Sequence, residues 1–168
     1  MNGSYDANWK ANQLSEYNNG AVHGVEASSF PFSQTVFEPS PLNRPFGLGA
    51  PGADWQVNPS DGHDPAKRTV KMYYEINAAT DNVRLFGIDM ISGSVSSAGF
   101  YATGSLTVAK IIDEHGGVTK EFIDKAGHLL LKQVYIENDV LQTYYIYDEK
   151  NQLVMVLQPE AVKAIMGN

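Results

Sequence analysis

Two histidines of this sequence lie near carboxylates at a spacing that could support acid–base chemistry. His115 follows Asp113 and Glu114, and His128 comes four residues after Asp124. A carboxylate that orients an imidazole is a common arrangement for a general base. However, Asp, Gly and His are also ordinary residues of exposed turns, and both histidines lie in stretches of that composition. The sequence therefore predicts turn residues here and no catalytic residue.

Other chemical signatures are missing or incomplete. No Gly-x-Ser-x-Gly, His-Glu-x-x-His or Gly-x-x-x-x-Gly-Lys motif occurs, and there is no cysteine. The strongest sequence signals for serine hydrolases, zinc peptidases, P-loop proteins and thiolate chemistry are thus absent. The acidic stretches Asp61-Gly62-His63-Asp64 and Asp113-Glu114 lack the spaced oxygen ligands that calcium prefers. We expect no metal site and no cofactor.

Charge and hydrophobicity limit the partners of the chain. Its 168 residues include 12 Lys and Arg against 19 Asp and Glu, a net charge of −7, and the longest basic cluster is Lys67-Arg68. This balance argues against a nucleic acid or an anionic membrane surface as partner. No apolar stretch approaches the roughly 20 residues that span a bilayer. A hydrophobic content of 43% is enough to form a core.

Tyrosines near the C-terminus offer a possible binding surface. In a strand, Tyr145 and Tyr147 project to one side, whereas Tyr144 and Ile146 take the other. Exposed rings on one side of a sheet could hold a carbohydrate or a peptide. The alternative is that these rings pack against neighbouring hairpins, and the sequence favours packing.

Proline positions divide the chain. Five of the eight prolines lie within the first 53 residues, and none occurs from Ala66 to Gln158. A proline-free stretch keeps every backbone donor that the interior of a sheet needs. The sequence therefore predicts a polar N-terminal segment (1–29), an extended Pro/Gly-rich strap (30–65) and a β-hairpin region (66–168).

The predicted strap is too apolar for a solvated linker. Its aromatic residues include Trp55, and burial of one large aromatic side chain contributes roughly 2–3 kcal/mol. Its prolines should keep it out of the interior of a sheet, although they make an extended chain inexpensive to order. We expect Trp55 to be buried and the Arg44 guanidinium to pair with a carboxylate or stack on an aromatic ring.

Alternation of apolar and polar residues with a period of two predicts an all-β fold, an antiparallel meander of short hairpins. The predicted strands lie near 69–76, 83–90, 106–112, 118–123, 129–136, 142–147 and 153–157. The Ser/Gly-rich stretch 91–99 is predicted to be a loop. A helix is the alternative for 126–134, but turn signals on both sides leave too few residues for a stable one. Pro159 followed by Glu160 predicts a short C-terminal helix.

Acidic residues recur at the predicted turns of this region. Asp113, Asp124, Glu137 and Asp148 are separated by 11, 13 and 11 residues, a spacing typical of consecutive antiparallel strands. An Asp at the start of a turn accepts hydrogen bonds from backbone N–H groups that follow it, and a residue such as Gly127 supplies a positive φ where the chain reverses. We therefore interpret these four positions as turns of structural importance.

Two of these turns resemble YD repeats, whose core is a Tyr-Asp pair followed by a Gly-containing turn and a leucine. They lie within Phe122–Leu129 and Tyr144–Leu153. Upstream, Ser-Pro-Leu-Asn-Arg at 40–44 and Pro-Gly-Ala-Asp-Trp at 51–55 are similar to the segment that precedes the repeats in RHS/YD-repeat proteins of the Bacteroidetes type. The copies diverge, because only Tyr147-Asp148 is a true pair and Glu137 replaces Asp.

This resemblance implies a non-enzymatic structural part of a larger protein. RHS/YD-repeat proteins are secreted or surface polypeptides whose hairpins form a β-shell around a C-terminal toxin or effector. The expected partner is the remainder of the same chain, and an isolated segment could also form a homo-oligomer through exposed strand edges. The alternative function is a carbohydrate- or peptide-binding β-module that uses the Tyr145 and Tyr147 face.

Overall fold

The structure is a computed structural model and describes residues 8–18, 28–58, 60–89 and 91–166. The chain forms two compact units, residues 1–71 and 72–168. The first unit contains helix α1 (Trp9–Asn18), strands β1 (Gln34–Phe37) and β2 (Pro45–Gly49), a 3-10 turn (Ala53–Trp55) and the start of β3 (Val70–Ile76). His23 lies outside the described residues.

A β-hairpin occupies the predicted strap, which corrects the expectation that its prolines exclude it from the interior of a sheet. Strand β2 pairs with β1 on one side and with the first two residues of β3 on the other. Pro45 is the first residue of β2, where the ladder does not need its N–H, and the β1 register shifts beside it. Proline is therefore tolerated in an inner strand at its first position.

Gln56 and Val57 are buried in this unit, as are Gly47, Gly62, Thr69 and Lys71. Val57 is 3% exposed. The Gln56 Nε2 group donates to the Phe32 and Ala50 carbonyl oxygens at 2.9 and 2.8 Å, which ties the chain before β1 to the chain after β2. Gly49 permits this packing, because a Cβ atom there would lie 2.6 Å from the Trp55 carbonyl oxygen.

The second unit contains the end of β3, a 3-10 turn (Ala79–Asp81) and the strands and helix that follow. These are β4 (Arg84–Ile88), β5 (Val95–Phe100), β6 (Thr107–Ile112), β7 (Val118–Ile123), β8 (Leu129–Ile136), β9 (Asp139–Tyr147), β10 (Leu153–Leu157) and α2 (Pro159–Met166). Strand order is β3-β6-β7-β8-β9-β10, and β4 pairs with β5 separately. All observed pairs are antiparallel, which confirms the predicted all-β meander. Helix α2 confirms the predicted C-terminal helix.

The sequence prediction failed at β5, which lies in the stretch predicted to be a loop. Val95–Phe100 pairs with β4 although it contains mainly Ser, Ala and Gly. Its pairing comes from a partner strand rather than from its own propensity, which is weak. The alternative helix at 126–134 does not form, because β8 occupies most of it.

The core of the second unit is built on one row of side chains across five paired strands. The row consists of Val108, Phe122, Leu131, Tyr144 and Leu157, all at most 6% exposed. The same cluster also contains Val83, Leu106, Leu130, Ile146 and Val162. This apolar row positions the turns between its strands and the polar side chains beside it.

Candidate functional site

Three turns of the meander share one hydrogen-bonded design. In the β6–β7 turn, Oδ1 of Asp113 accepts the N–H groups of His115 and Gly117 at 2.9 and 2.7 Å. The Asp113 N–H donates to the Gly117 carbonyl oxygen, and the Gly116 N–H donates to the Asp113 carbonyl oxygen. Gly116 has a φ of 88°. One aspartate thus satisfies the backbone at the point where the chain reverses.

The β7–β8 and β9–β10 turns repeat this pattern. Asp124 accepts the N–H groups of Ala126 and His128. Asp148 likewise accepts those of Lys150 and Gln152. The residue of positive φ is Gly127 at 90° in one turn and Asn151 at 62° in the other. The predicted role of Asp as the turn acceptor is therefore observed in all three.

These hydrogen bonds alter the acidity of two aspartates. The N–H groups of Gly117 and His115 lower the pKa of Asp113. Burial would raise the pKa of Asp124, but the N–H of His128, its imidazole and the N–H of Ala126 together lower it below its usual value. Both carboxyl groups are therefore held in the charged form in which they accept hydrogen bonds.

The turn at Glu137 is of another kind. Only Glu137 and Asn138 separate the paired residues Ile136 and Asp139, and Glu137 has a φ of 46°. Each of the three aspartates accepts the N–H of the residue four positions later in its turn. A two-residue loop is too short to contain such a residue, so Glu137 is not equivalent to the aspartates. Asp139 instead forms an ion pair with Lys163 of α2 at 2.9 Å.

Arg44 and Trp55 occupy separate places in the first unit. The Arg44 guanidinium forms a two-point ion pair with Glu38 at 2.7 and 2.9 Å, which closes the β1–β2 hairpin. This contact, with help from the Ser40 hydroxyl, lowers the pKa of Glu38 to about 2. Trp55 is only partly buried, and the Arg68 guanidinium lies 5.8 Å from its ring centre.

Tyr147 and His128 pack together at one end of the meander. Their ring centres are 4.6 Å apart, and Nδ1 of His128 forms a 2.9 Å hydrogen bond with Oδ2 of Asp124. The Tyr147 hydroxyl donates to the Leu129 carbonyl oxygen at 3.2 Å. Burial and the nearby Asp124 charge raise the pKa of Tyr147, so its hydroxyl stays a donor. These contacts order the β7–β8 turn. Tyr145, on the same strand as Tyr147, is half-buried.

A polar groove lies on the face of the sheet that carries the apolar row. Its volume is about 570 Å³. Gln133 pairs with Gln142, and Tyr135 pairs with Val140, to form a floor from β8 and β9. The remaining lining comes from Thr80, Asp81, Asn82, Arg84, Phe100 and Met166.

Charges in the groove differ in their pairing. Lys120, next to the floor, forms an ion pair with Asp81 at 3.4 Å and lies 5.8 Å from the Tyr135 ring centre. Burial opposes the charge of Lys120, but Tyr135 and Asp81 outweigh it and raise its pKa. The Arg84 guanidinium lies 5.2 Å from the Phe100 ring centre. Within the described ranges, no carboxylate lies at ion-pair distance from Arg84.

Comparison with known proteins assigns the N-terminal half of the chain to a family. Residues 1–84 match the model of a family described as a domain of unknown function, DUF6443. The chain belongs to the DUF6443 family. No curated protein and no solved structure matches it. The match ends at the first residue of β4, so the three Asp-closed turns lie beyond it.

Sequence reasoning missed the groove of this DUF6443 protein because its lining comes from separate elements. One signal was available. Gln133 and Gln142 are equally far from the two-residue turn at Glu137 and Asn138, and this register makes them partners. Asp89 was also missed, although its Oδ1 accepts the Ile91 N–H at 2.9 Å and closes the β4–β5 turn.

The described residues contain no cluster of metal-ligating side chains. No helix within these ranges is long and apolar enough to cross a membrane.

Proposed function

We propose that this chain is a non-enzymatic structural segment of a secreted or surface protein of the RHS/YD-repeat type. In that role it contributes to a β-shell that encloses a C-terminal toxin or effector. The observation that carries the proposal is the repetition of one turn design at Asp113, Asp124 and Asp148. A shared design in consecutive hairpins is what a repeat-built wall requires.

The edge strand β10 supports the same proposal. It is the last strand in the order of the second unit, and its Leu153 and Val156 side chains are 51% and 37% exposed. An edge strand with exposed apolar residues can pair with a further strand. A hairpin repeat cannot bury its own apolar face, so stacking with a following hairpin would stabilise β10.

The side-chain chemistry fits a structural role better than a catalytic one. Asp113 and Asp124, the carboxylates near His115 and His128, accept hydrogen bonds from turn N–H groups. His128 is packed against Tyr147 and bonded to Asp124. A base that holds its own turn together is poorly placed to take a proton from a substrate.

The size and location of the natural gene product test this proposal. An antibody raised against this chain should detect a product much longer than 168 residues in the culture medium or on the cell surface, and a strain that lacks the gene serves as the control. The reading frame of that product should continue through further Tyr-Asp units after Asn168. An intracellular product of about this length would contradict the proposal.

A further inference from the structure

The groove between the sheet and the β4–β5 hairpin has the size of a ligand site. Its volume of about 570 Å³ lies within the roughly 300–1,000 Å³ of small-molecule sites. Its lining combines amide, aromatic and cationic side chains with one carboxylate, that of Asp81, which is paired with Lys120. Polar side chains outnumber apolar ones in this lining, which suits a ligand rich in hydrogen-bonding groups.

Arg84 is the cation of this groove that has no acidic partner among the described residues. Lys120, Lys132 and Lys163 differ from Arg84, since each of them forms an ion pair with a carboxylate. The backbone of Arg84 is fixed, because its N–H donates to the buried Tyr144 hydroxyl at 3.3 Å. A guanidinium on a backbone fixed in this way can bind a carboxylate through two parallel hydrogen bonds.

Aromatic and amide groups surround that cation. Phe100 and Tyr135 are 55% and 36% exposed, so both rings offer apolar surface to a ligand. The Tyr135 hydroxyl donates to Oε1 of Gln133 at 3.0 Å, which orients that amide and leaves Nε2 as a donor. Gln142 lies directly opposite Gln133. Sugar rings present a C–H face that packs on an aromatic ring and hydroxyl groups that suit amides.

The backbone of the floor argues against an extended peptide. Strand β8 is paired with both β7 and β9, and β9 is paired with both β8 and β10. Addition of a peptide strand needs a free edge, and the floor has none. Recognition here must come from side chains.

We propose that this groove binds an acidic oligosaccharide, with Arg84 on the sugar carboxylate, Phe100 and Tyr135 against the rings, and Gln133 and Gln142 on hydroxyl groups. This inference does not depend on the proposed shell. A wall segment and an isolated module would present the same groove.

Calorimetric titration of the purified chain with trigalacturonate tests the proposal. The uncharged galactotriose and a tetraglutamate peptide serve as matched probes. We expect saturable binding of trigalacturonate that weakens as salt concentration rises, with weaker binding of both other probes. Absence of binding, equal binding of galactotriose, or tighter binding of the peptide would overturn the proposal.

Variants then locate the site. Arg84→Gln should weaken trigalacturonate binding by at least about tenfold, and Arg84→Lys should weaken it less, because it keeps the charge but not the two-point geometry. Arg68→Gln is the matched control, because Arg68 also lies over an aromatic ring but belongs to the first unit. If the Arg84→Gln variant fails to fold, the Gln142→Ala variant provides the test. We expect it to bind trigalacturonate several-fold more weakly. Unchanged affinity in a folded Arg84→Gln or Gln142→Ala variant would contradict the assignment.

Discussion

Two neighbouring rows of side chains on one face of the β6–β9 sheet have opposite character. One row is apolar and at most 2% exposed, and it consists of Val108, Phe122, Leu131 and Tyr144. The other is polar, and it consists of Lys110, Lys120, Gln133 and Gln142. Each polar residue lies two positions along its strand from an apolar one. The same four strands thus carry a core row and a groove row.

The difference between the rows lies in what covers them. The apolar row belongs to a cluster with Val83, Leu106 and Val162, which come from outside the β7–β9 strands. Gln133 and Gln142 of the polar row line the open groove, and the buried Gln133 accepts a hydrogen bond from the Tyr135 hydroxyl. Burial of polar groups without partners would cost free energy, so the row under the groove is where polar residues are tolerated. Stability and ligand binding can therefore be changed separately.

The largest effect is expected in the apolar row. Phe122→Ala removes a side chain that is 0% exposed. Truncation of such an aromatic costs about 3–5 kcal/mol, through lost burial and the cavity left behind. Urea denaturation should show this decrease in the free energy of unfolding. A loss below about 1 kcal/mol would mean that Phe122 is not central to the core.

A smaller effect is expected at the turns that keep both rows in register. Asp124→Ala removes the acceptor for the Ala126 and His128 N–H groups and for the His128 imidazole. We expect a loss of about 1–2 kcal/mol in the free energy of unfolding. Lys125→Ala is the matched control, because this exposed residue lies in the same turn. Equal effects of the two substitutions would show that the aspartate does not hold the turn.

Acid should weaken the molecule through the same carboxylates. The folded-state pKa values of Asp113 and Asp124 are lowered by their hydrogen bonds, and that of Glu38 is lowered to about 2 by Arg44. Their contribution to stability is present above the unfolded pKa values, near 4, and is lost as pH falls through the folded ones. Unfolding followed from pH 5 to pH 2 should show this decline. In the Asp124→Asn variant, the free energy of unfolding should fall less steeply with decreasing pH. An identical pH dependence would show that Asp124 does not contribute to the decline.

The smallest effect is expected in the polar row. Gln142→Ala should change the free energy of unfolding by no more than about 0.5 kcal/mol, because the side chain borders the groove rather than the core. Thermal unfolding followed by circular dichroism measures this. A destabilisation close to that of Phe122→Ala would remove the distinction between the two rows.

Much of the meander could be predicted because its signals are local. Period-two alternation located seven strands near their observed positions, and Asp with a following Gly or Asn located three turns. Strand β5 could not be predicted in this way, since Ser96, Ser97 and Gly99 have weak strand propensity and pair only because β4 is available. Pro45 was misjudged because its tolerance depends on its place as the first residue of β2.

The groove was harder to predict than the fold. The facing of Gln133 and Gln142 follows from hairpin register and was within reach. The approach of Arg84 and Phe100 depends on where the β4–β5 hairpin packs on the sheet, and no local pattern specifies that. Sequence reasoning instead selected Tyr145 and Tyr147, at the other end of the groove strand β9, and Tyr147 is engaged with His128 and Leu129.

The proposed role as a shell segment is tested most directly by an electron cryomicroscopy map of the full-length gene product. We predict that β6–β10 lies in the wall of a closed β-shell and that the edge of β10 pairs with a strand that follows in the chain. A map in which β6–β10 forms a separate module, with the edge of β10 facing solvent, would contradict the account.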